Sequence, residues 1–105
     1  MKKTERPKNR YISFQASPEI PNVEDFLYKE FMKFFGEFGF SKISFKVLEY
    51  DRNKNYGIIR CNRDYVEKVR GFFALLNPRI KSLRTSGTRK TLRELRDGVI
   101  PTERA

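Results

Sequence analysis

Apolar and polar side chains alternate along the stretch from Arg10 to Ala16, near the start of the chain. Ile12, Phe14 and Ala16 occupy every second position, and polar or tyrosyl side chains lie between them. This alternation predicts a strand with one buried face, because successive side chains of a strand point to opposite faces of the sheet. The segment that follows contains two prolines, which end the predicted strand.

A helical pattern rich in phenylalanine begins after Asn22. Asn22 is a favourable N-cap residue, and Glu24 and Asp25 fall in the first turn, where the helix dipole stabilises negative charge. Apolar residues then recur three or four positions apart, namely Val23, Phe26, Leu27, Phe31, Phe34, Phe35 and Phe38. The pattern predicts a helix with one wide apolar face that ends near Gly36 and Gly39.

Three further strands and a second helix complete the predicted fold. They are a strand over 42–50, a polar turn over 51–55, a strand over 56–61, a helix from Asn62 to Leu76 and a strand over 80–85. The order β-α-β-β-α-β predicts an α+β, ferredoxin-like (RRM-like) sandwich, in which two helices cover one face of a four-stranded antiparallel sheet. The other face of the sheet is then free to bind a partner.

The length of 105 residues suits a single domain. We expect the ferredoxin-like domain over residues 10–97, including a short basic helix over 88–97. A flexible basic arm over 1–9 precedes the domain, and a tail over 98–105 follows it. No apolar run approaches the roughly 20 residues of a membrane span, so we expect a cytoplasmic protein.

Positive charge is concentrated at the two ends of the chain. The formal net charge is +10. Residues 1–10 carry +4 and residues 79–96 carry +6, whereas residues 11–78 carry only +1 and residues 97–105 carry −1. Because like charges repel, this segregation indicates a polyanionic partner such as RNA, DNA or an acidic membrane surface. A solubilising tail and a solvated helix face are the alternative explanation.

The stretch around Ser86-Gly87-Thr88 is the sharpest local signal. Gly87 permits a positive φ, and the helix start that follows presents N–H groups beside basic side chains, an arrangement that suits a phosphate oxygen. The candidate RNA-binding residues are the basic residues of the two charged segments together with this turn. They are Lys2, Lys3, Arg6, Lys8, Arg10, Arg79, Lys81, Arg84, Ser86, Gly87, Thr88, Arg89, Lys90, Arg93 and Arg96.

Few residues could carry catalysis. The chain has no histidine and a single cysteine, Cys61, which excludes imidazole catalysis, disulfides within the chain and histidine or all-cysteine zinc sites. Glu49 and Asp51 are the best carboxylate pair for Mg²⁺, but a strand end and a turn account for both. We therefore predict no catalytic residue, no metal site and no cofactor bound by the protein.

The free face of the predicted sheet is a candidate partner interface. Tyr11, Leu48 and Tyr50 are expected there. In the aromatic octamer of RNA-recognition modules, Tyr56 keeps one aromatic position, whereas Ile58 and Cys61 stand where stacking rings would lie. A protein partner on this face is at least as plausible as RNA.

Four stretches together resemble the archaeal ribonuclease P protein component 2 family. They are Arg10-Tyr11-Ile12-Ser13-Phe14, Leu48-Glu49-Tyr50-Asp51, Tyr56-Gly57-Ile58-Ile59-Arg60-Cys61 and Arg84-Thr85-Ser86-Gly87-Thr88. The likeness spans about residues 10 to 96. It implies a non-catalytic, RNA-binding subunit of ribonuclease P, the enzyme that removes the 5′ leader from precursor tRNA.

The resemblance also implies the partners. These are the ribonuclease P RNA, which would hold the catalytic Mg²⁺, precursor tRNA, and ribonuclease P protein component 3, with self-association in the complex. We expect no membrane contact, because the sequence has no apolar run long enough to span a membrane. Two other interpretations stay open, namely a general RNA-binding or ribosome-associated protein and a protein-interaction module without RNA affinity.

Overall fold

The computed structural model describes residues 9–90 and Leu92. The strands are β1 (Asn9–Ala16), β2 (Lys46–Asp51), β3 (Tyr56–Asn62) and β4 (Ile80–Ser86), and the helices are α1 (Val23–Ile43) and α2 (Val66–Leu76). The strands form one antiparallel sheet in the order β2-β3-β1-β4. The predicted ferredoxin-like α+β sandwich is confirmed.

The core lies between the two helices and one face of the sheet. Ile12, Phe14 and Ala16 are at most 3% exposed, so the face predicted from their alternation is confirmed. Phe31 of α1 stacks on Phe45 with ring centroids 4.1 Å apart and meets Phe72 of α2 edge to face at 5.2 Å. Each such ring contributes about 1.5–3 kcal/mol by its burial, so these aromatic residues join both helices to the sheet.

Helix α1 is longer than predicted, because it bends at Gly36 and continues to Ile43. Gly36 has φ 76° and ψ 176°, which breaks the helical backbone at a φ that glycine adopts without strain. The second part returns Phe40 to the core, where its ring lies 5.8 Å from that of Phe31. Ser44 then ends the helix in a left-handed conformation, with its N–H bonded to the Phe40 carbonyl at 3.2 Å.

The bend also corrects the predicted apolar face of the first helix. Phe34 and Phe38 were expected in the core, but they are 52% and 75% exposed. The 3.6-residue spacing was extrapolated through Gly36, and the change of direction there turns Phe38 toward solvent. Phe34 precedes the bend and lies at the margin of the core, with its ring 5.8 Å from that of Phe72. Two large phenyl groups therefore lie on the surface of the helical layer.

Strand β2 begins at Lys46 rather than at residue 42, and a bulge interrupts it at Leu48. Val47 pairs with Ile59, whereas Glu49 pairs with Ile58, so one extra residue lies between these pairs. A bulge of this kind reverses which side chains face the core. The alternation predicted across this strand fails at that residue.

The polar residue Asn62 ends β3 and starts a single 3₁₀ turn over Arg63–Tyr65, not α2 itself. Its side-chain oxygen accepts the backbone N–H of Asp64 at 2.9 Å. Helix α2 therefore begins at Val66, three residues later than a cap at Asn62 predicts, and ends at Leu76 as predicted. Within the described residues, no helix combines the length and apolarity needed to cross a membrane.

Candidate nucleic-acid interface

The face of the sheet opposite α1 and α2, here the outer face, carries three rows of side chains. Directly paired residues of neighbouring strands share a face, so the strand register defines each row from β2 to β4. The rows are Lys46, Arg60, Tyr11 and Ser86, then Glu49, Ile58, Ser13 and Arg84, then Asp51, Tyr56, Gln15 and Lys81. Polar and charged residues thus surround an apolar centre.

Basic residues occupy both edges of the outer face. Lys46 and Arg60 lie side by side on β2 and β3, and Arg84 and Lys81 line the opposite edge on β4. Neighbouring strands are about 4.8 Å apart, so paired cations of this kind can contact the same phosphate chain. Among the described residues of these rows, the carboxylates are Glu49 and Asp51, both on β2.

Sequence reasoning missed Lys46 and Arg60 because both lie in the nearly neutral middle of the chain. Net charge by segment hides them, since acidic residues elsewhere in the segment compensate for them. Alternation could have revealed them, because each is flanked on both sides by buried apolar residues. Such a residue must point to the outer face.

The chain after β4 crosses the outer face toward β2. Arg89, Lys90 and Leu92 are helical. Arg89 Nε donates to Glu49 Oε2 at 3.1 Å, which ties this segment to the far edge of the sheet. The start of the predicted basic helix over 88–97 is therefore present, and its remainder lies outside the described residues.

Leu92 closes the apolar centre of the outer face. Its side chain is fully buried against Tyr56 and Ile58, with Tyr11 at the margin of the cluster. The hydroxyl of Tyr56 donates to the Leu92 carbonyl at 3.2 Å in a buried hydrogen bond. The expectation of a free sheet face is therefore wrong at its centre, because the protein's own chain covers it.

Ser13 also lies beneath this cover. It is fully buried, and its hydroxyl accepts the Arg84 backbone N–H at 3.1 Å. This bond lies where the pairing of β1 with β4 shifts by one residue, between Ser13 and Phe14. The serine replaces a hydrogen bond that the irregular ladder loses, which accounts for a polar residue in an apolar place.

The turn at Gly87 brings together two predicted RNA-binding segments. A Cβ at Gly87 would lie 3.8 Å from Nη1 of Arg10, so this guanidinium faces the turn. The Thr88 N–H donates to Ser86 Oγ at 3.1 Å. The phosphate site predicted at this turn needs correction, because Gly87 does not adopt a positive φ and the Thr88 N–H already has an acceptor within the turn.

The other predicted RNA-binding residues divide into three groups. Lys81 and Arg84 lie on the outer face and Lys90 is exposed on the helical segment. Arg79 lies apart from them, because its guanidinium stacks on the ring of Phe26 on the helical side of the sheet, 5.0 Å from the centroid. Lys2, Lys3, Arg6, Lys8, Arg93 and Arg96 lie outside the described residues.

The predicted partner interface of Tyr11, Leu48 and Tyr50 does not form one surface. Tyr50 faces the helices and stacks on Phe14, with ring centroids 6.0 Å apart, whereas Tyr11 lies on the outer face. The bulge at Leu48 causes the separation. Burial raises the pKa of Tyr50, whose phenol donates to Asn55 Oδ1 at 3.3 Å and stays neutral near pH 7.

The residues with possible catalytic chemistry have structural roles. Glu49 pairs with Arg89, and Asp51 accepts the backbone N–H of Asn53 at 2.9 Å in the turn after β2. Burial raises the pKa of Cys61 to about 11, so its thiol is protonated at neutral pH and is a poor nucleophile. Residues 9–90 and Leu92 contain no cluster of three or more potential metal ligands.

Known proteins resemble this chain over nearly its whole length. The model of the Rpp14/Pop5 family matches residues 10–95. Ribonuclease P protein component 2 of Pyrococcus horikoshii is 32% identical over 102 residues, covering 89% of this chain and 83% of the relative. The protein of the same name from Pyrococcus abyssi is 31% identical over 102 residues, covering 89% and 85%. The family match includes every outer-face residue.

Proposed function

The chain belongs to the Rpp14/Pop5 family, and from this premise we propose that it is an RNA-binding subunit of ribonuclease P. In this role it supports removal of the 5′ leader from precursor tRNA by stabilising the catalytic RNA. It contributes no catalytic residue. The shared name of its relatives, ribonuclease P protein component 2, supports the subunit role.

The single observation that carries RNA binding is the cationic frame of the outer face. Lys46 and Arg60 on one side and Lys81 and Arg84 on the other surround a centre that the chain itself has closed. A face of this kind favours contact with phosphates rather than stacking of bases, because its aromatic and apolar groups are covered by Leu92.

Phosphate neutralisation is the proposed physical role. Folded RNA brings phosphates close together, and the cations of the outer face lower the electrostatic repulsion between these phosphates. In this proposal Mg²⁺ binds to the RNA subunit and the protein binds no cofactor. The protein therefore lowers the Mg²⁺ concentration that the RNA needs, and does not take part in bond cleavage.

A protein partner is part of the proposal. We expect ribonuclease P protein component 3 as that partner, with self-association within the complex. Phe34 and Phe38 on α1 and Leu75 on α2 are 52%, 75% and 66% exposed, and surface side chains of this size favour a protein interface. The same residues favour the alternative of a protein-interaction module, which predicts no measurable RNA affinity.

Reconstitution tests the proposed function. Ribonuclease P RNA is incubated with precursor tRNA at low Mg²⁺, with and without this protein and component 3, and leader cleavage is measured. We expect cleavage only when RNA and protein are both present. Cleavage by the protein without the RNA subunit would show an enzyme in its own right, and no stimulation of the RNA would favour a different particle or a protein-interaction module.

A further inference from the structure

A cavity of about 510 Å³ lies between the start of α1 and the turn that joins β2 to β3. It is separate from the outer face, because its wall residue Tyr50 faces the helices. The residues that line the cavity include Pro18, Ile20, Glu24, Tyr50, Arg52 and Asn55. The volume falls within the range of about 300–1,000 Å³ that is typical of sites for small ligands.

One wall of the cavity is rigid before any ligand arrives. The ring of Tyr50 is held by its stack on Phe14, and its hydroxyl donates to Asn55 Oδ1 at 3.3 Å. The backbone of Asn55 is fixed in turn, since its carbonyl accepts the Ala16 N–H at 2.8 Å. A preformed wall reduces the entropy lost on binding.

The charged groups of the cavity favour a ligand with two chemically different parts. Arg52 is exposed and has no ion pair or hydrogen bond within the described residues, so its guanidinium can bind an anion. Glu24 lines the same cavity and would repel a simple phosphate. The Asp25 N–H at the start of α1 is not a donor for the ligand, because Asn22 Oδ1 already accepts it at 3.0 Å.

We propose that this cavity binds one unstacked nucleotide of single-stranded RNA. Its phosphate lies by Arg52, and its base lies against Tyr50 and the apolar wall of Pro18 and Ile20. The carboxylate of Glu24 accepts a hydrogen bond from an exocyclic amino group of the base, as in adenine. The inference rests on the proposed function and adds an RNA contact on the helical side of the sheet, away from the outer face.

Titration of the full-length, ¹⁵N-labelled protein with AMP tests this inference, and ribose 5-phosphate serves as the matched probe that lacks a base. We expect AMP to shift the backbone resonances of Ile20, Arg52 and Asn55, and ribose 5-phosphate to leave them nearly unchanged. Arg52→Ala should weaken AMP binding about tenfold or more, because it removes a charged hydrogen-bond donor. Arg70→Ala, an exposed cation of α2 outside the cavity, should bind AMP like the wild type.

Equal shifts with ribose 5-phosphate, shifts confined to the outer face, or an unchanged affinity in Arg52→Ala would each overturn the inference. The same wild-type protein is assayed for stimulation of ribonuclease P RNA. A protein that stimulates the RNA but does not bind AMP refutes the cavity site alone. A protein that fails to stimulate the RNA refutes the proposed function, whatever its affinity for AMP.

Discussion

Replacing Leu92 by alanine should destabilise the protein by about 2 kcal/mol, because this side chain closes the apolar centre of the outer face. Leu92 is fully buried against Tyr56 and Ile58. Within the described residues, the substitution removes the apolar side chain with which the segment after β4 packs on the sheet. It leaves the hydrogen bond from Tyr56 to the Leu92 carbonyl in place, since that bond uses the backbone.

The contacts of the segment after β4 limit the loss of folding stability in Leu92→Ala, because this segment can detach while the sheet stays folded. Burial of Leu92 contributes about 1.5–3 kcal/mol, and the Tyr56 hydrogen bond about 1 kcal/mol. The partly exposed pair of Arg89 with Glu49 adds at most about 1 kcal/mol after screening by solvent. These described contacts together account for a loss of up to about 5 kcal/mol in Leu92→Ala, and relaxation of the segment brings the expected value toward 2 kcal/mol.

Urea unfolding of the wild type and the variant measures this difference directly. A loss of 2 kcal/mol should also lower the melting temperature by roughly 10 °C in a domain of this size. Leu75→Ala is the matched control, since this leucine is 66% exposed on α2 and should change stability by less than about 0.5 kcal/mol. If Leu92→Ala and Leu75→Ala unfold at the same urea concentration, the outer face is not covered as described.

Three further outcomes test other parts of the structure. A Cβ at Gly57 would lie 2.5 Å from Cζ of Phe14, so Gly57→Ala should lower the free energy of unfolding by about 1–3 kcal/mol. In thermal melts its control, Gly71→Ala, should be as stable as the wild type, because nothing lies within 4 Å of a Cβ at Gly71. Burial raises the pKa of Cys61 from 9.0 to about 11, so the free energy of unfolding should fall as the pH rises from 9 toward 11. In Cys61→Ala, urea unfolding should show a smaller decrease over the same pH range. Glu49→Gln should keep leader cleavage in the reconstituted enzyme and bind RNA a few-fold more tightly, because it removes a competing anion from the partly exposed guanidinium of Arg89. Loss of cleavage with RNA binding intact would instead mark Glu49 as catalytic.

Local periodicity predicted the elements whose residues follow one pattern from end to end. The alternation of Ile12, Phe14 and Ala16 identified both the first strand and its buried face. The order of the six elements was enough for the fold, because few topologies accommodate β-α-β-β-α-β around one core. The end of α2 at Leu76 was also predicted, since a proline follows within two residues.

Local periodicity failed where a single residue interrupts a pattern. The bend at Gly36 and the bulge at Leu48 each reverse the side chains that follow them. Both depend on tertiary packing. The return of Phe40 to the core keeps α1 going beyond the glycine, and the pairing of β2 with β3 decides which residue bulges. Gly36 indicated a helix end but not that the helix continues beyond it, and no residue beside Leu48 indicates the bulge.

The candidate site was predicted in part. Net charge by segment identified the Arg84 end of β4 and the residues after it, because there the charge is contiguous in sequence. It could not identify Lys46 and Arg60, which join this surface only through the strand register. It also could not show that Leu92 covers the outer face, because that contact links residues far apart in the chain.

The salt dependence of binding to ribonuclease P RNA shows whether the cations of the outer face contact phosphates. The wild type is compared with the double variant Lys46→Ala/Arg60→Ala and with a control, Lys33→Ala/Lys68→Ala, which removes two exposed cations from the helices. Each lost phosphate contact should reduce the slope of log K against log salt by about 0.7–0.9. The slope should be smaller by about 1.4–1.8 for the outer-face variant and unchanged for the control. Equal slopes for all three proteins would show that Lys46 and Arg60 do not contact RNA phosphates.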